Sequence, residues 1–419
     1  MYEYVASGMS HVFYAKNERV AKYLNKLKCY DEQCFSMLYN AFTETRTGIV
    51  MKEFKDLDAI YKVHADSGGL QMITRNMIPT PELREKVYME QAKNSCIAMS
   101  FDEIPLLIET ASGKTEISDL GGRFFDMENL VQRARDSGQN VKDQVRYFKK
   151  VKTKAEPLVI LQGNCLDTYE IWTNELMDVL GDDFQHTSGL AMSPTSIGMG
   201  LYEDCVRAIA LKTNPYNTDK VHLLGIGSLN RMLPFIVMNA QDWFGKNYHI
   251  SYDSTSHSRA LWGGLDYYRY NLPKIRANKD IDNQREVYDD ICKIFEDEGV
   301  DVTFHEFSSW CNARCSLARF SGILDVSDEE LRRIYSTSAW LFLLGCIYNF
   351  MKEFDDVQQN IKALNNPIIN ILDTLKGVDS KADGIHWLNE YGQYLKSRPV
   401  LKSTNRPGSL SQFLKKEKS

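Results

Sequence analysis

The chain has 419 residues, 43% hydrophobic and 25% charged, with a formal net charge of −6. This is an ordinary globular composition. The net negative charge speaks against a protein that binds nucleic acid with its whole surface, so any such binding has to come from local basic patches.

The N-terminus, MYEYVASGMSHVFYAKNERV, lacks a basic segment followed by an apolar core, so no signal peptide is expected. Nine Cys without a secretory signal imply reduced thiols and a cytoplasmic location. Going along the chain, several short apolar runs end in small, polar or acidic residues: YKVHADSGG, CIAMSFDE, LVILQGN, HTSGLAMS, VHLLGIGS and YHISYDSTS. Between them lie helical patterns such as Pro81 to Asn94 and Leu166 to Leu180. Strands that alternate with helices imply a parallel sheet. At least six such units, with no Gly-x-Gly-x-x-Gly fingerprint, predict a (β/α)₈ barrel rather than two dinucleotide-binding halves. Residues 1–300 are assigned to the barrel. Residues 301–355 are assigned to a zinc-module-like region and a barrel-closing helix, and 356–419 to a helical extension with a basic tail. Val302 to His305 is expected to be one more strand. The apolar run Ala339 to Met351 is too short to span a bilayer and is expected to be a buried helix.

In such barrels the C-terminal strand ends build the active site. Asp66, Asp102, Gln162, Gly189 and Asp253 are placed there. Asp66 is followed by Ser67 and two glycines, Gly68 and Gly69, which suit either a tight turn or the close approach of a flat ligand. Two carboxylates facing one pocket, Asp66 and Asp253, suit glycosyl chemistry: one attacks the anomeric carbon and the other moves protons at the leaving group. Asp102 can accept from two N–H groups, and Gln162 with main chain near Gly189 can pair with a carbonyl, which together fit the edge of guanine. Two basic stretches stand out, RYFKKVKTK with Lys149, Lys150 and Lys152, and the tail from Lys396 onward.

These motifs resemble the tRNA-guanine transglycosylase family. DSGGLQ is similar to its DSGGFQ, SFDE to its FDE segment, LQGN to VQGG, SGLAM to GGLAV and LLGIGS to LMGVG. YDSTSHSR is similar to FDCVLPTR, with the same Asp-to-Arg spacing. The six motifs keep the family's order over roughly residues 60 to 260. The resemblance implies that Asp253 is the nucleophile at C1′ of the target nucleoside and Asp66 the general acid/base. It implies that Asp102 and Gln162 read the base with main chain at Gly189 and Leu190, and that Ser67 and Gly68 line the base site. Arg259, with the three lysines, is assigned to nucleic-acid binding. His257 is expected at the surface, and Tyr252 serves packing or function.

The resemblance fails at the metal. The tRNA-acting enzymes hold a structural zinc with Cys-x-Cys-x₂-Cys and a downstream His, where this chain has HEFSSWCNARC. Zinc on His305, Cys311, Cys315 and Cys346 and a lost site with core thiols both stand; no organic cofactor is expected. The broken pattern and the basic tail resemble the DpdA-like branch of bacteria and their phages, which inserts 7-deazaguanines into DNA. That resemblance implies DNA as partner, preQ0 or guanine as the free base, and a flipped or single-stranded target. A tRNA-directed enzyme, a non-catalytic subunit and a retaining glycosidase are the alternatives. No membrane partner is expected, and the oligomeric state is open.

Overall fold

Among the described residues, twelve strands occur in chain order: β1 (Tyr2–Ala6), β2 (Gln33–Asn40), β3 (Val63–Asp66), β4 (Ile97–Met99), β5 (Leu106–Thr110), β6 (Leu120–Phe125), β7 (Glu156–Leu161), β8 (Leu190–Met192), β9 (Lys220–Leu223), β10 (His249–Ser254), β11 (Asp266–Arg269) and β12 (Leu272–Arg276). The computed structural model describes residues 1–8, 20–28, 33–42, 60–74, 77, 79–110, 120–193, 200–216, 218–243, 248–313, 317–321, 323–363 and 366–397. Eight of the strands, β1–β4 and β7–β10, run parallel and close a barrel, with β10 pairing back onto β1. The other four form two antiparallel hairpins outside it. The fold is a (β/α)₈ barrel with a helical C-terminal region, as the alternation of runs predicts.

Successive strand residues face opposite sides, so sequence parity decides the interior. Leu38, Ile97, Met99, Leu158, Ile160, Ala191 and Leu224 form a small apolar cluster inside the barrel, separate from the large core. The other half of the interior is polar. Glu3, Ser36, His64, His222 and Ser251 are all buried there. The opposite faces of the same strands belong to the large core between barrel and helices, including Tyr2, Tyr4, Met37, Ala65, Leu190 and Tyr252.

Pro81–Asn94 and Leu166–Leu180 are helices with the bounds the apolar spacing predicts. The first starts on Thr80, whose hydroxyl accepts the Leu83 amide, with Pro81 in the first turn. The apolar run Ala339–Met351 lies inside a 33-residue helix, Asp328–Asn360. That helix is long and apolar enough to cross a membrane, yet 89% of its most apolar window is buried inside the protein. Its Phe350 and Phe354 pack on Tyr2, Tyr4 and Tyr252, so it covers the β1–β10 seam where the barrel closes. Truncating Phe350 to Ala would cost about 3–5 kcal/mol by the usual scale for buried aromatics.

Val302 to His305 is not a strand. Thr303 and Glu306 form a reciprocal capping box that starts the helix Phe304–Asn312. A Thr-x-x-Glu spacing ahead of apolar residues is a helix start, and it outweighs the β-branched pair before it. After Asn360, the helical segments among the described residues are Ile361–Ala363, Pro367–Asp373, Thr374–Gly377 and Lys381–Ser397. The basic tail beyond Ser397 lies outside the described residues.

Candidate active site

The catalytic candidates meet at the C-terminal mouth. Asp66 is the last residue of β3, Asp102 and Gln162 follow β4 and β7, and Asp253 is the penultimate residue of β10. Asp102 and Asp253 are buried, and Asp66 is partly exposed.

Asp253 accepts the Gly225 amide at 2.8 Å, and the His222 imidazole stands behind it with Nε2 at 3.5 Å. The Gly225 amide is itself held. Arg231 donates to the Gly225 carbonyl at 2.7 Å and to both carboxylate oxygens of Asp204, at 2.8 and 3.0 Å. Arg207 also donates to Asp204, and to the Leu224 carbonyl at 3.1 Å. A buried Asp–Arg–Arg cluster therefore fixes the loop that carries the amide under Asp253.

Asp66 accepts from Asn40 Nδ2 at 2.9 Å. Desolvation pushes its carboxyl up to about 6, against the pull of the Gly68 amide, with the negative charge of Asp253 adding to the rise. Gly68 makes the turn that ends this strand. Its φ is +82°, and a Cβ there would stand 2.5 Å from Phe42 Cβ and 3.0 Å from Asn40 Oδ1. The left-handed backbone turns the amide back onto Asp66. Ser67 caps the turn through the Gly69 amide at 3.4 Å.

Asp102 accepts from Gln162 Nε2 at 2.5 Å. Burial pushes the Asp102 carboxyl up to about 7, the Gln162 hydrogen bond opposes this, and the charge of Asp66 adds to it. Gln162 Oε1 is buried without a hydrogen-bond partner among the described residues. A buried acceptor left open costs about 1–3 kcal/mol unless something donates to it. A carboxylate and an open amide oxygen side by side are two acceptors aimed at a ligand that carries adjacent N–H groups.

Other sequence-predicted residues lie elsewhere. Gly189 precedes β8, at the N-terminal face of the barrel, where it lines a groove with Phe184, Gln185 and Lys220. Its φ is +135°, and a Cβ would meet the Lys220 carbonyl at 2.4 Å, so the glycine permits close strand packing. Its carbonyl accepts the Val159 amide, and Leu190 is registered against both Val159 and Val221 with its side chain in the outer core. Their main chain is engaged in the barrel ladder, so neither joins Asp102 and Gln162. Lys149, Lys150 and Lys152 close the helix Leu130–Val151 just before β7 starts, at the end opposite the mouth. Lys149 is paired there with Asp183 at 3.1 Å. Arg259 is exposed on the helix Ser256–Trp262, directly after β10, and so stays on the mouth side.

His257 is buried, not at the surface. The Tyr4 hydroxyl contacts its Nδ1 at 2.6 Å and Phe350 packs on it; desolvation pushes its pKa down to about 3. Tyr252 is packing: it stacks on Phe354 and its hydroxyl donates to Gln33. Of the zinc candidates, His305 is exposed and Cys311 buried on one short helix, six residues apart and on different faces. Cys346 accepts the Tyr268 amide at 3.3 Å, and burial pushes its thiol up to about 12. Cys315 lies outside the described residues. Among the described residues no three His, Cys, Asp or Glu side chains are grouped to hold a metal.

Asn40, Gly225, Arg231, Asp204 and His222 were not singled out from the sequence. Asn40 and His222 come from other strands than the carboxylates they touch, Gly225 from the loop after β9, and Asp204 and Arg231 from the helices Leu201–Lys212 and Leu229–Ala240; only Gly225 sits inside a motif. Among known proteins, no family model matches this chain and no curated protein matches it.

Proposed function

We propose that the protein is a base-exchange glycosyltransferase that replaces guanine in DNA with a 7-deazaguanine of the preQ0 type, through a covalent Asp253–nucleoside intermediate. The observation that carries this reading is the division of labour at the mouth. One carboxylate, Asp253, is braced from below by an amide and an imidazole. A second, Asp66, is poised near neutrality. A third, Asp102, is coupled to Gln162 as a pair of acceptors.

The chemistry follows from these environments. Asp253 attacks C1′ of an extruded deoxyguanosine; the carboxylate–C1′ bond forms as the bond to N9 breaks. A carboxyl near pH 6 can give a proton to the departing guanine and take one back. Asp66 then accepts the N9 proton of the incoming 7-deazaguanine, whose nitrogen attacks C1′ and releases the Asp253 carboxylate. Asp102 accepts N1–H and N2–H of either base, and the open Gln162 oxygen takes a further N–H. DNA is favoured over tRNA because the zinc pattern of the tRNA-acting enzymes is broken around Cys311 and because His305 and Cys311 face apart.

The test is nucleoside mass spectrometry on DNA and tRNA from cells that express the chain with a supply of preQ0. A 7-deazaguanine in DNA, absent with Asp253→Asn, supports the proposal. The modification in tRNA alone moves the assignment to the tRNA-directed enzyme, and none in either polymer overturns it.

A further inference from the structure

The barrel interior contains a polar column that runs from the N-terminal face to the back of Asp253. His249 Nε2 lies 2.6 Å from Glu3 Oε2 near the N-terminal face, and is partly exposed. Glu3 Oε1 lies 2.7 Å from His64 Nε2 and accepts the Ser36 hydroxyl at 2.5 Å. The His64 and His222 rings follow at 5.7 Å between centroids, and His222 Nε2 reaches Asp253. Most barrel interiors are filled with branched aliphatic side chains. Replacing half of that filling with buried ionisable groups is costly unless they pair.

The orientation of His222 is decided by its neighbour. Ser251 Oγ donates to the Val221 carbonyl at 3.4 Å and lies 2.9 Å from His222 Nδ1, so it can accept a hydrogen carried on Nδ1. With Nδ1 carrying a hydrogen, Nε2 has two states. A bare Nε2 turns a lone pair toward the Asp253 carboxylate, which is repulsive. A protonated Nε2 makes an imidazolium–carboxylate pair. Nε2 is buried with no hydrogen-bond partner among the described residues, so Asp253 is the group that can repay its proton.

We propose that His222 is a positioning residue for Asp253, protonated at Nε2 in the resting enzyme and holding the carboxylate from inside the barrel. This rests on Asp253 being the nucleophile. The groups that face His222 are Asp253 and Ser251 on β10 and His64 on β3, with Glu3 on β1 behind His64; β8, on its other side, offers apolar Ala191. Glu3 is held well below the usual carboxylate range by His64, His249 and Ser36, despite its burial. Its negative charge lies on the same axis and favours a cation between it and Asp253. Desolvation pushes the His64 imidazole down, and of the two rings it is His222 that stands against Asp253.

The experiment is long-range ¹H–¹⁵N spectroscopy of the imidazoles at about pH 6.5, the ordinary imidazole midpoint. The His222 signals are identified by their loss in His222→Gln. The expected result is a protonated Nε2 in the wild type and a bare Nε2 in Asp253→Asn. A bare Nε2 in the wild type, or no change in Asp253→Asn, overturns the proposal whatever the protein's activity. The second arm reads adduct formation at a saturating nucleic acid. His222→Phe should lose about a hundredfold in rate, the scale for one preorganised charge contact, with KM little changed. His222→Gln, whose amide can still donate, should recover part of it. Losses in both variants that simply follow their melting temperatures reject a positioning role. No adduct in the wild type counts against the transglycosylase reading, and the spectroscopic result still decides the pairing.

Discussion

Asn40 Nδ2 donates to Asp66 Oδ2 across 2.9 Å, from the last residue of β2 to the last residue of β3, which are partners in register. The bond stabilises the ionised carboxyl and holds down a pKa that burial and Asp253 push up to about 6. Asn40→Ala should therefore raise the Asp66 pKa. A hydrogen bond to a charged group is worth about 1.5–3 kcal/mol, so the pH–rate limb assigned to Asp66 should move up by roughly one to two units. A profile of adduct formation against pH checks this. A limb that stays in place, or moves down, contradicts the assignment of Asp66 as the titrating acid/base.

Asp102 should release a proton when it binds guanine. Its carboxyl sits at about 7 in the empty site, and guanine, presenting two N–H donors, selects the ionised form. Calorimetry of guanine binding in buffers of different ionisation enthalpy should show release of most of one proton near pH 6.5. The release should vanish above about pH 8.5, where Asp102 is already ionised, and should be absent in Asp102→Asn. Proton uptake, or release that persists in Asp102→Asn, would count against Asp102 as the base reader.

The same residue should cost stability at neutral pH. Its folded pKa lies above the ordinary aspartate value of about 3.9. Below that value both folded and unfolded chains are protonated at this site. As pH rises to 7, the unfolded chain loses the proton first and the fold loses stability. Asp102→Asn should therefore be more stable than the wild type at pH 7, on the order of 2–4 kcal/mol, with the gain fading toward pH 4. Denaturant melts at the two pH values measure it. Asp66→Asn should show a smaller gain, because Asp66 is partly exposed.

Asp204→Ala should be among the most destabilising single changes near the site. It leaves Arg207 and Arg231 buried without their carboxylate, and breaking a buried pair costs about 3–5 kcal/mol. It should also loosen the Gly225 amide that holds Asp253. Thermal melts and adduct formation should fall together, with Asp204→Asn milder in both. A melting temperature within about 1 °C of the wild type would show that the arginines find other partners.

Strand ends were legible because each carries its signal locally. VHADSGG alternates, ends in an acid and stops at glycine, and the structure ends β3 on Asp66. The partners of those acids were not legible. Asn40 and His222 belong to other strands and Gly225 to the loop after β9, and only barrel register brings them beside Asp66 and Asp253. The run HTSGLAMS reads as a strand that ends near Gly189, and the family resemblance adds Leu190, whereas β8 begins at Leu190. The lysines of RYFKKVKTK are a basic run on any reading, but a helix that returns antiparallel to its strand delivers them to the opposite face. His257 looked exposed among hydroxyl residues; the helix that buries it comes about ninety residues later and seals the barrel with Phe350.

The central claim is that Asp253 forms a bond to a nucleoside in DNA. The most direct measurement is to incubate the protein with a guanine-containing DNA duplex, a DNA single strand and a tRNA, quench under denaturing conditions, and separate adducts on a gel. Peptide mass spectrometry then locates the linkage. The expected result is a DNA adduct on Asp253, absent in Asp253→Asn and discharged by added 7-deazaguanine. An adduct with tRNA and neither DNA, or one on another residue, contradicts it.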